Sequence, residues 1–275
     1  MNEADHQTLG SETDLAQERR AAFDRDGYVL LERALDAHAL ERLREAVDRT
    51  YVEERGGDGG SLHLLAFCGR DPAFLELIDH PTILPLVVDV LGPNVFMHHC
   101  HLDVHPPETD RDQVWMWHQD GGIVNRDLET EPRPRLSVKV AYFLTDLTEP
   151  GRGNFMVLPR SHLRNAIDRP PDDDNAIAGA VPILAAAGDA VLFDRRLWHM
   201  RSANRSRYTR KALFYAYTYR WVRPRDDLRV PVELLHLVTP VRAQLLGAAA
   251  HASDYWMPDH VDVPVRDEVA DRAPH

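Results

Sequence analysis

The chain is poor in cysteine, with only Cys68 and Cys100 among 275 residues. That excludes a disulfide framework and points to a reducing compartment. Positive charge is also in deficit: 32 Lys and Arg stand against 44 Asp and Glu, for a formal net charge of −12. This balance excludes nucleic acid and anionic membrane surfaces as partners, since binding to phosphate arrays needs dense positive charge. No apolar run approaches the roughly 20 residues of a membrane-spanning helix. The opening Met1-Asn2-Glu3-Ala4-Asp5 lacks the basic start and apolar stretch of a secretion signal, so a cytoplasmic location is expected. No internal repeat with a period of about 20–50 residues is visible.

What is present reads as one β-rich α+β domain, and 275 residues are enough for a β architecture with added helices. Residues 1–14 are polar and expected to be disordered, with residues 15–275 forming the domain. Helices are expected from Leu15 to Asp26 and, capped by Asp36, to about Tyr51, where Leu40, Leu43, Ala46 and Val47 recur at helical spacing. A further helix, interrupted by prolines, is expected from Ala73 to Leu91. Gly27 to Leu31 reads as a short strand, strands with turn signals dominate from Val95 to Tyr219, and the residues near Trp256-Met257-Pro258 form a tail. Periodicity leaves sandwich and barrel both open. Asp168 to Asn175 reads as an acidic, proline-broken loop.

Three His-x-Asp pairs occur: His101 with Asp103, His118 with Asp120, and His260 with Asp262. Two imidazoles and one carboxylate on one face of a metal leave three positions open, which suits a non-haem Fe(II) site that must hold a cosubstrate and O2 together. The pair at His260 is followed by a single further histidine, His275, and reads as a surface accident. His101 and Asp103 lie in Val95 to His105, a strand ended by Pro106-Pro107, on which His99, His101, Asp103 and His105 share one face. His118 follows the aromatic run Trp115-Met116-Trp117, and Asp120 precedes Gly121-Gly122, where the backbone can turn and approach a ligand. The metal is therefore placed at His118 and Asp120.

Downstream, Gly188-Asp189 is a turn, Ala190 to Phe193 a strand leading to His199, and Ala203 to Ser206 a second turn before the strand Ala212 to Tyr217. With Asn204 and Arg205 at the centre of a hairpin, His199 and Arg210 face each other, their Cβ atoms about 5 Å apart. His199 would then bind the metal, and the planar fork of Arg210 would reach a distant carboxylate.

These residues resemble the phytanoyl-CoA dioxygenase family of Fe(II)/2-oxoglutarate oxygenases over most of the chain, from about Phe23 to about Val265. The resemblance rests on His118 to Gly122, Arg135 to Asp146, Gly151-Arg152-Gly153-Asn154, Leu158 to His162, Gly188-Asp189, Trp198-His199, Arg210, Tyr219-Arg220-Trp221 and Arg223 to Asp226. It implies a double-stranded β-helix, the cupin-like jelly roll, with flanking N-terminal helices. It also implies Fe(II) held by His118, Asp120 and His199, with 2-oxoglutarate and O2 as cosubstrates. Arg210, eleven residues after His199, is implied to bind the far carboxylate of 2-oxoglutarate. Ser137 matches a position that contacts the same carboxylate in related hydroxylases, and His101 matches one near the cosubstrate's metal-binding end. His105 stands where many relatives carry lysine.

Asp120 is absent from halogenating relatives, so its presence points away from halogenation. The expected function is hydroxylation of an unactivated C–H bond of a small molecule, with release of succinate and CO2, in bacterial secondary metabolism. The alternatives are desaturation, cyclisation or epimerisation with the same cofactors, or a cupin-like isomerase or binding domain without 2-oxoglutarate. Trp115, Trp117, Phe67, His63, Asn154 and Met156 are candidate pocket residues, and Ile123 to Pro134 is a candidate lid that the sequence alone does not decide.

Overall fold

The computed structural model describes residues 12–108, 116–168, 176–249 and 251–272. Of the expected disordered start, residues 1–11 lie outside the described residues, while 12–14 already belong to helix α1 (Glu12–Asp26). Strand β1 (Tyr28–Leu31) follows. Asp36 caps α2 (Ala37–Arg55) by accepting a hydrogen bond from the Ala39 N–H, and Gly56, at φ 57°, ends it. The helix outruns its expected end at Tyr51 because nothing before this left-handed glycine breaks it. After β2 (Leu62–Leu65), the single helix expected near Ala73 to Leu91 is two, α3 (Pro72–Glu76) and α4 (Leu84–Leu91), with a 3-10 turn at Leu77–Asp79 between them. Pro72 and Pro85 each sit in a first turn, where a missing N–H costs nothing.

The remaining elements are β3 (Val95–His105), α5 (Val124–Asp127), β4 (Ser137–Phe143), β5 (Phe155–Val157), β6 (Val181–Pro182), β7 (Ala190–Asp194), β8 (His199–Arg201), β9 (Arg210–Tyr219), α6 (Pro240–Leu245) and α7 (Pro264–Asp271). The strands form two antiparallel sheets, one ordered β1-β7-β4-β9-β3-β2 and the other β6-β5-β8. Facing antiparallel sheets of this kind make the expected jelly roll. Alternation along β4 shows how the layers divide. Val138, Val140 and Tyr142 join a core shared with Leu43, Val47, Phe74 and Val87 of the helical side, whereas Ala141 and Phe143 join Phe155, Val157 and Phe193 between the sheets. Ser137 and Lys139 therefore share the inter-sheet face of β4. Trp256 and Met257 of the expected tail are exposed, whereas Leu245 of α6 and Val265 of α7 on either side of it are fully buried in the helical-side core. Among the described residues, no helix is long and apolar enough to cross a membrane.

One expectation fails. His199 and Arg210 are not cross-strand partners, because β8 pairs with β5 in the small sheet while β9 pairs with β3 and β4 in the large one. The segment between them crosses from one sheet to the other. Asn204, read as the centre of a hairpin turn, is fully buried: its amide donates to the His105 and Tyr208 carbonyls at 2.9 and 2.8 Å, and its oxygen accepts from the Ser206 hydroxyl at 2.7 Å. It pins the crossing to the end of β3.

Candidate active site

A cavity of about 760 Å³ opens between the two sheets, and the sequence-predicted residues His118, Asp120, His199, Arg210, Ser137 and His101 all line it. His118 and His199 bridge their backbones through two hydrogen bonds of 3.1 and 3.0 Å, which brings their rings to 4.3 Å between centroids. Each ring donates its Nδ1–H to the carbonyl two residues earlier, His118 to Met116 at 2.9 Å and His199 to Leu197 at 2.8 Å. That fixes the tautomer and leaves both Nε2 lone pairs for a metal. Asp120 Oδ1 lies 4.0 Å from His118 Nε2, and one donor atom from each of His118, Asp120 and His199 falls within 4.8 Å of the others. The donor set and its spacing fit a facial two-histidine, one-carboxylate metal site.

Burial, with help from the neighbouring His118, pushes the His199 imidazole down to about 3, so it is neutral and able to ligate at neutral pH. Burial alone would raise the Asp120 carboxyl, but the Lys139 ammonium holds it well below the usual range. Lys139 is the residue that sequence reasoning missed. Its Nζ lies 2.8 Å from Asp120 Oδ2, and its signal was its place two residues from Ser137, on the same strand face. Phe155 and Phe193, also missed, wall the opposite side of His199, with centroids 5.2 and 5.0 Å from its ring. Gly121 permits the turn after Asp120: at φ 124°, a Cβ there would meet Arg195 Nη2 at 2.6 Å and Asn125 Oδ1 at 2.7 Å.

Arg210 is 2% exposed, and its Nε and Nη1 have no hydrogen-bond partner among the described residues. Burial pushes even this guanidinium down to about 10, although Asp103 opposes the shift. A Cβ on Gly153 would lie 2.7 Å from Arg210 Cδ, so this glycine makes room for the arginine's stem. A buried, charged fork with unfilled donors fits a carboxylate ligand.

His101 stacks on Phe214, with centroids 4.3 Å apart and 12° between planes, and its Nδ1 lies 3.0 Å from His99 Nε2. A bulge between Met97 and His99 lets both His98 and His99 line the cavity. His63, His101 and Asp103 also bring donor atoms within 4.8 Å of one another. Asp103, however, accepts from His63 Nδ1 at 2.7 Å and faces Arg210 Nη1 at 3.9 Å, so its charge serves the arginine. Ser137 pairs with Thr218, eight positions along β9 from Arg210, or about 26 Å of extended chain. The register thus overturns the expectation that both contact one carboxylate.

Of the candidate pocket residues, His63 lines the cavity. Trp117 packs with Leu158 and Met200 while Met156 packs against them, Phe67 belongs to the helical-side core, and Asn154 is fully buried, donating to the Leu147 carbonyl at 2.8 Å. Trp115 and most of the acidic loop, 169–175, lie outside the described residues. The candidate lid segment is tied down: Arg133 donates to the Asn125 carbonyl at 2.8 Å and to Gln119 Oε1 at 2.9 Å, leaving Ile123 and Val124 on the cavity rim. His260 is exposed and faces Asp267 at 3.3 Å, so the C-terminal His-x-Asp pair plays no part in the cavity.

The family model of phytanoyl-CoA dioxygenase (PhyH) matches residues 23–212. The chain belongs to the phytanoyl-CoA dioxygenase family. It is an Fe(II)/2-oxoglutarate-dependent oxygenase by that membership. An uncharacterized protein of Mycobacterium tuberculosis is 28% identical over 250 residues, covering 84% of this chain and 88% of its own. The ectoine dioxygenase of Sphingopyxis alaskensis is 22% identical over 250 residues, covering 77% of this chain and 78% of its own. The same fold is found in the solved S. alaskensis EctD with 2-oxoglutarate and 5-hydroxyectoine, at a TM-score of 0.61 and 20% identity over 84% of this chain and 90% of that one. HygX of Streptomyces hygroscopicus, solved with nickel and 2-oxoglutarate, gives 0.64 at 16% identity over 79% and 93%.

Proposed function

We propose that this family member hydroxylates an unactivated C–H bond of a small molecule in secondary metabolism, using Fe(II), O2 and 2-oxoglutarate. The observation that carries the reading is the meeting, in one cavity, of the His118, Asp120 and His199 donors with the unfilled guanidinium of Arg210. His118, Asp120 and His199 hold the iron through two Nε2 atoms and one carboxylate oxygen. Arg210 takes the far carboxylate of 2-oxoglutarate. Once bound, the iron and the cosubstrate supply the oxidising power, with decarboxylation to succinate.

The protein's own part is placement. Phe155, Phe193 and Phe214 exclude water from the metal's surroundings, which strengthens every charge interaction there. Lys139 keeps Asp120 ionised and oriented. Ser137 and Thr218 line the cavity at the end of β9 away from Arg210 and would face the substrate. A cupin-like binding domain without 2-oxoglutarate would leave the Arg210 fork unexplained.

The test is incubation of iron-loaded protein with 2-oxoglutarate, O2 and a bacterial metabolite extract, read by mass spectrometry. A product heavier by one oxygen atom supports hydroxylation. A product lighter by two hydrogens, or an isomer, replaces it with desaturation or epimerisation.

A further inference from the structure

His105 and Arg210 are register partners across β3 and β9, and both are buried. Neither ring nitrogen of His105 has a hydrogen-bond partner among the described residues. Asp103, two residues back on the same face, places Oδ2 3.8 Å from His105 Nε2 and 3.9 Å from Arg210 Nη1. The surrounding elements add His63 of β2, hydrogen-bonded to Asp103 at 2.7 Å, and His101 of β3, 3.9 Å from Asp103 Oδ2. They also add Arg201 of β8, already paired with Glu108 at 2.6 Å.

The charges here balance before any ligand arrives, Arg210 against Asp103 and Arg201 against Glu108. A second carboxylate entering beside Arg210 would put two anions around one guanidinium in a buried space. Like charges so placed cannot both stay ionised without a compensating cation. We propose that the far carboxylate of 2-oxoglutarate enters this subsite together with one proton from solvent, which comes to rest on His105. The carboxylate is then held by Arg210, and the His105 imidazolium balances the added charge from beside Asp103, which keeps its own. This inference rests on the assignment of Arg210 to the cosubstrate.

Burial keeps the empty-state His105 below its ordinary value, so the ring is neutral and ready to accept. The incoming anion raises it. The sign follows by linkage. Between the pKa of His105 in the free protein and its value with ligand bound, binding takes up one proton, so affinity falls about tenfold per pH unit as pH rises. Above the bound-state value it levels off at its weakest.

The experiment is calorimetric titration of 2-oxoglutarate into anaerobic, Fe(II)-saturated protein, in buffers of different ionisation enthalpy, across the neutral to mildly alkaline range. Wild type is expected to take up close to one proton per 2-oxoglutarate and to lose affinity with rising pH. His105→Lys, with a fixed charge, is expected to bind without proton uptake and with a flat pH profile. His105→Asn, which introduces no buried charge, is expected to bind more weakly and equally flatly. Tight wild-type binding with no proton uptake overturns the proposal, as does uptake that persists in both variants, since the proton would then sit elsewhere in the cluster. A wild type that binds iron but no 2-oxoglutarate at any pH overturns the cosubstrate assignment itself, an outcome distinct from the other two.

Discussion

Lys139 Nζ lies 2.8 Å from Asp120 Oδ2, while Asp120 Oδ1 faces His118 Nε2 at 4.0 Å. The ammonium thus claims one carboxylate oxygen and leaves the other toward the imidazoles. A carboxylate held in this way would offer a metal a single oxygen. Lys139 is almost fully buried, so the pair is not a screened surface contact.

Replacing Lys139 by Met leaves a buried carboxylate unpaired, which costs about 3–5 kcal/mol in the metal-free protein. A chain of this size loses about 2–4 °C of Tm per kcal/mol, so a fall of about 6 °C or more is expected. Divalent metal neutralises Asp120 in place of the lysine and should restore much of the loss. Differential scanning with and without Ni(II) checks this; an equal fall in both conditions would show that the pair does not serve the metal site.

His118→Ala and His199→Ala are expected to abolish Fe(II) binding in anaerobic equilibrium dialysis, whereas Asp103→Ala and Asp262→Ala should retain one iron per chain. Loss of iron in Asp103→Ala with retention in Asp120→Ala would place the metal at the other cluster.

Arg210→Ala removes one partner of a buried charged contact, worth about 2–5 kcal/mol, and should weaken 2-oxoglutarate binding by a factor of about 30 or more without loss of iron. Arg210→Lys should recover part of the loss, because an ammonium lacks the bidentate fork. Gly153→Ala, which touches no ligand, should act in the same direction by crowding Arg210 Cδ. Unchanged affinity in Arg210→Ala would remove the arginine from the cosubstrate site.

Two imidazoles, the half-buried His98 and the buried His199, make the metal-free protein labile to acid. His98 and His199 are each pushed down to about 3, chiefly by burial, against about 6.5 for the exposed ring. Between those values the unfolded chain binds protons that the folded chain refuses, so stability falls as pH drops from about 6.5 toward 3, by up to about 1.4 kcal/mol per pH unit for each ring. Urea denaturation of the metal-free protein at several pH values checks the slope. His98→Gln should make it shallower, and an unaltered slope would remove His98 as a source.

The parts legible in the sequence were those fixed over short distances. His118 and Asp120 are two residues apart, and a neighbouring glycine pair that frees the backbone marks them as a ligand turn whatever the rest of the chain does. The distal half was only partly legible. His199 and Arg210 read as cross-strand partners and are not, since Asn204 and Ser206 look the same whether they close a hairpin or peg a crossing between sheets. Ser137 was placed in the right cavity and at the wrong end of it, because register along β9 is a long-range property. Lys139 passed unseen because a lone lysine between valines reads as the solvent side of a strand. Only the second sheet, which covers that face, makes it a buried partner of Asp120.

In the proposed reading, one chain couples the metal triad to the Arg210 subsite. Succinate formed from 2-oxoglutarate under O2, measured by chromatography with and without Fe(II), tests it most directly. The wild type is expected to form succinate only with iron, His118→Ala to form none, and Arg210→Ala to recover only at raised 2-oxoglutarate. Iron-loaded wild type that binds 2-oxoglutarate and yields no succinate, alone or with metabolite extract, or succinate formation unaffected by His118→Ala, would show that the triad and the Arg210 subsite do not act together.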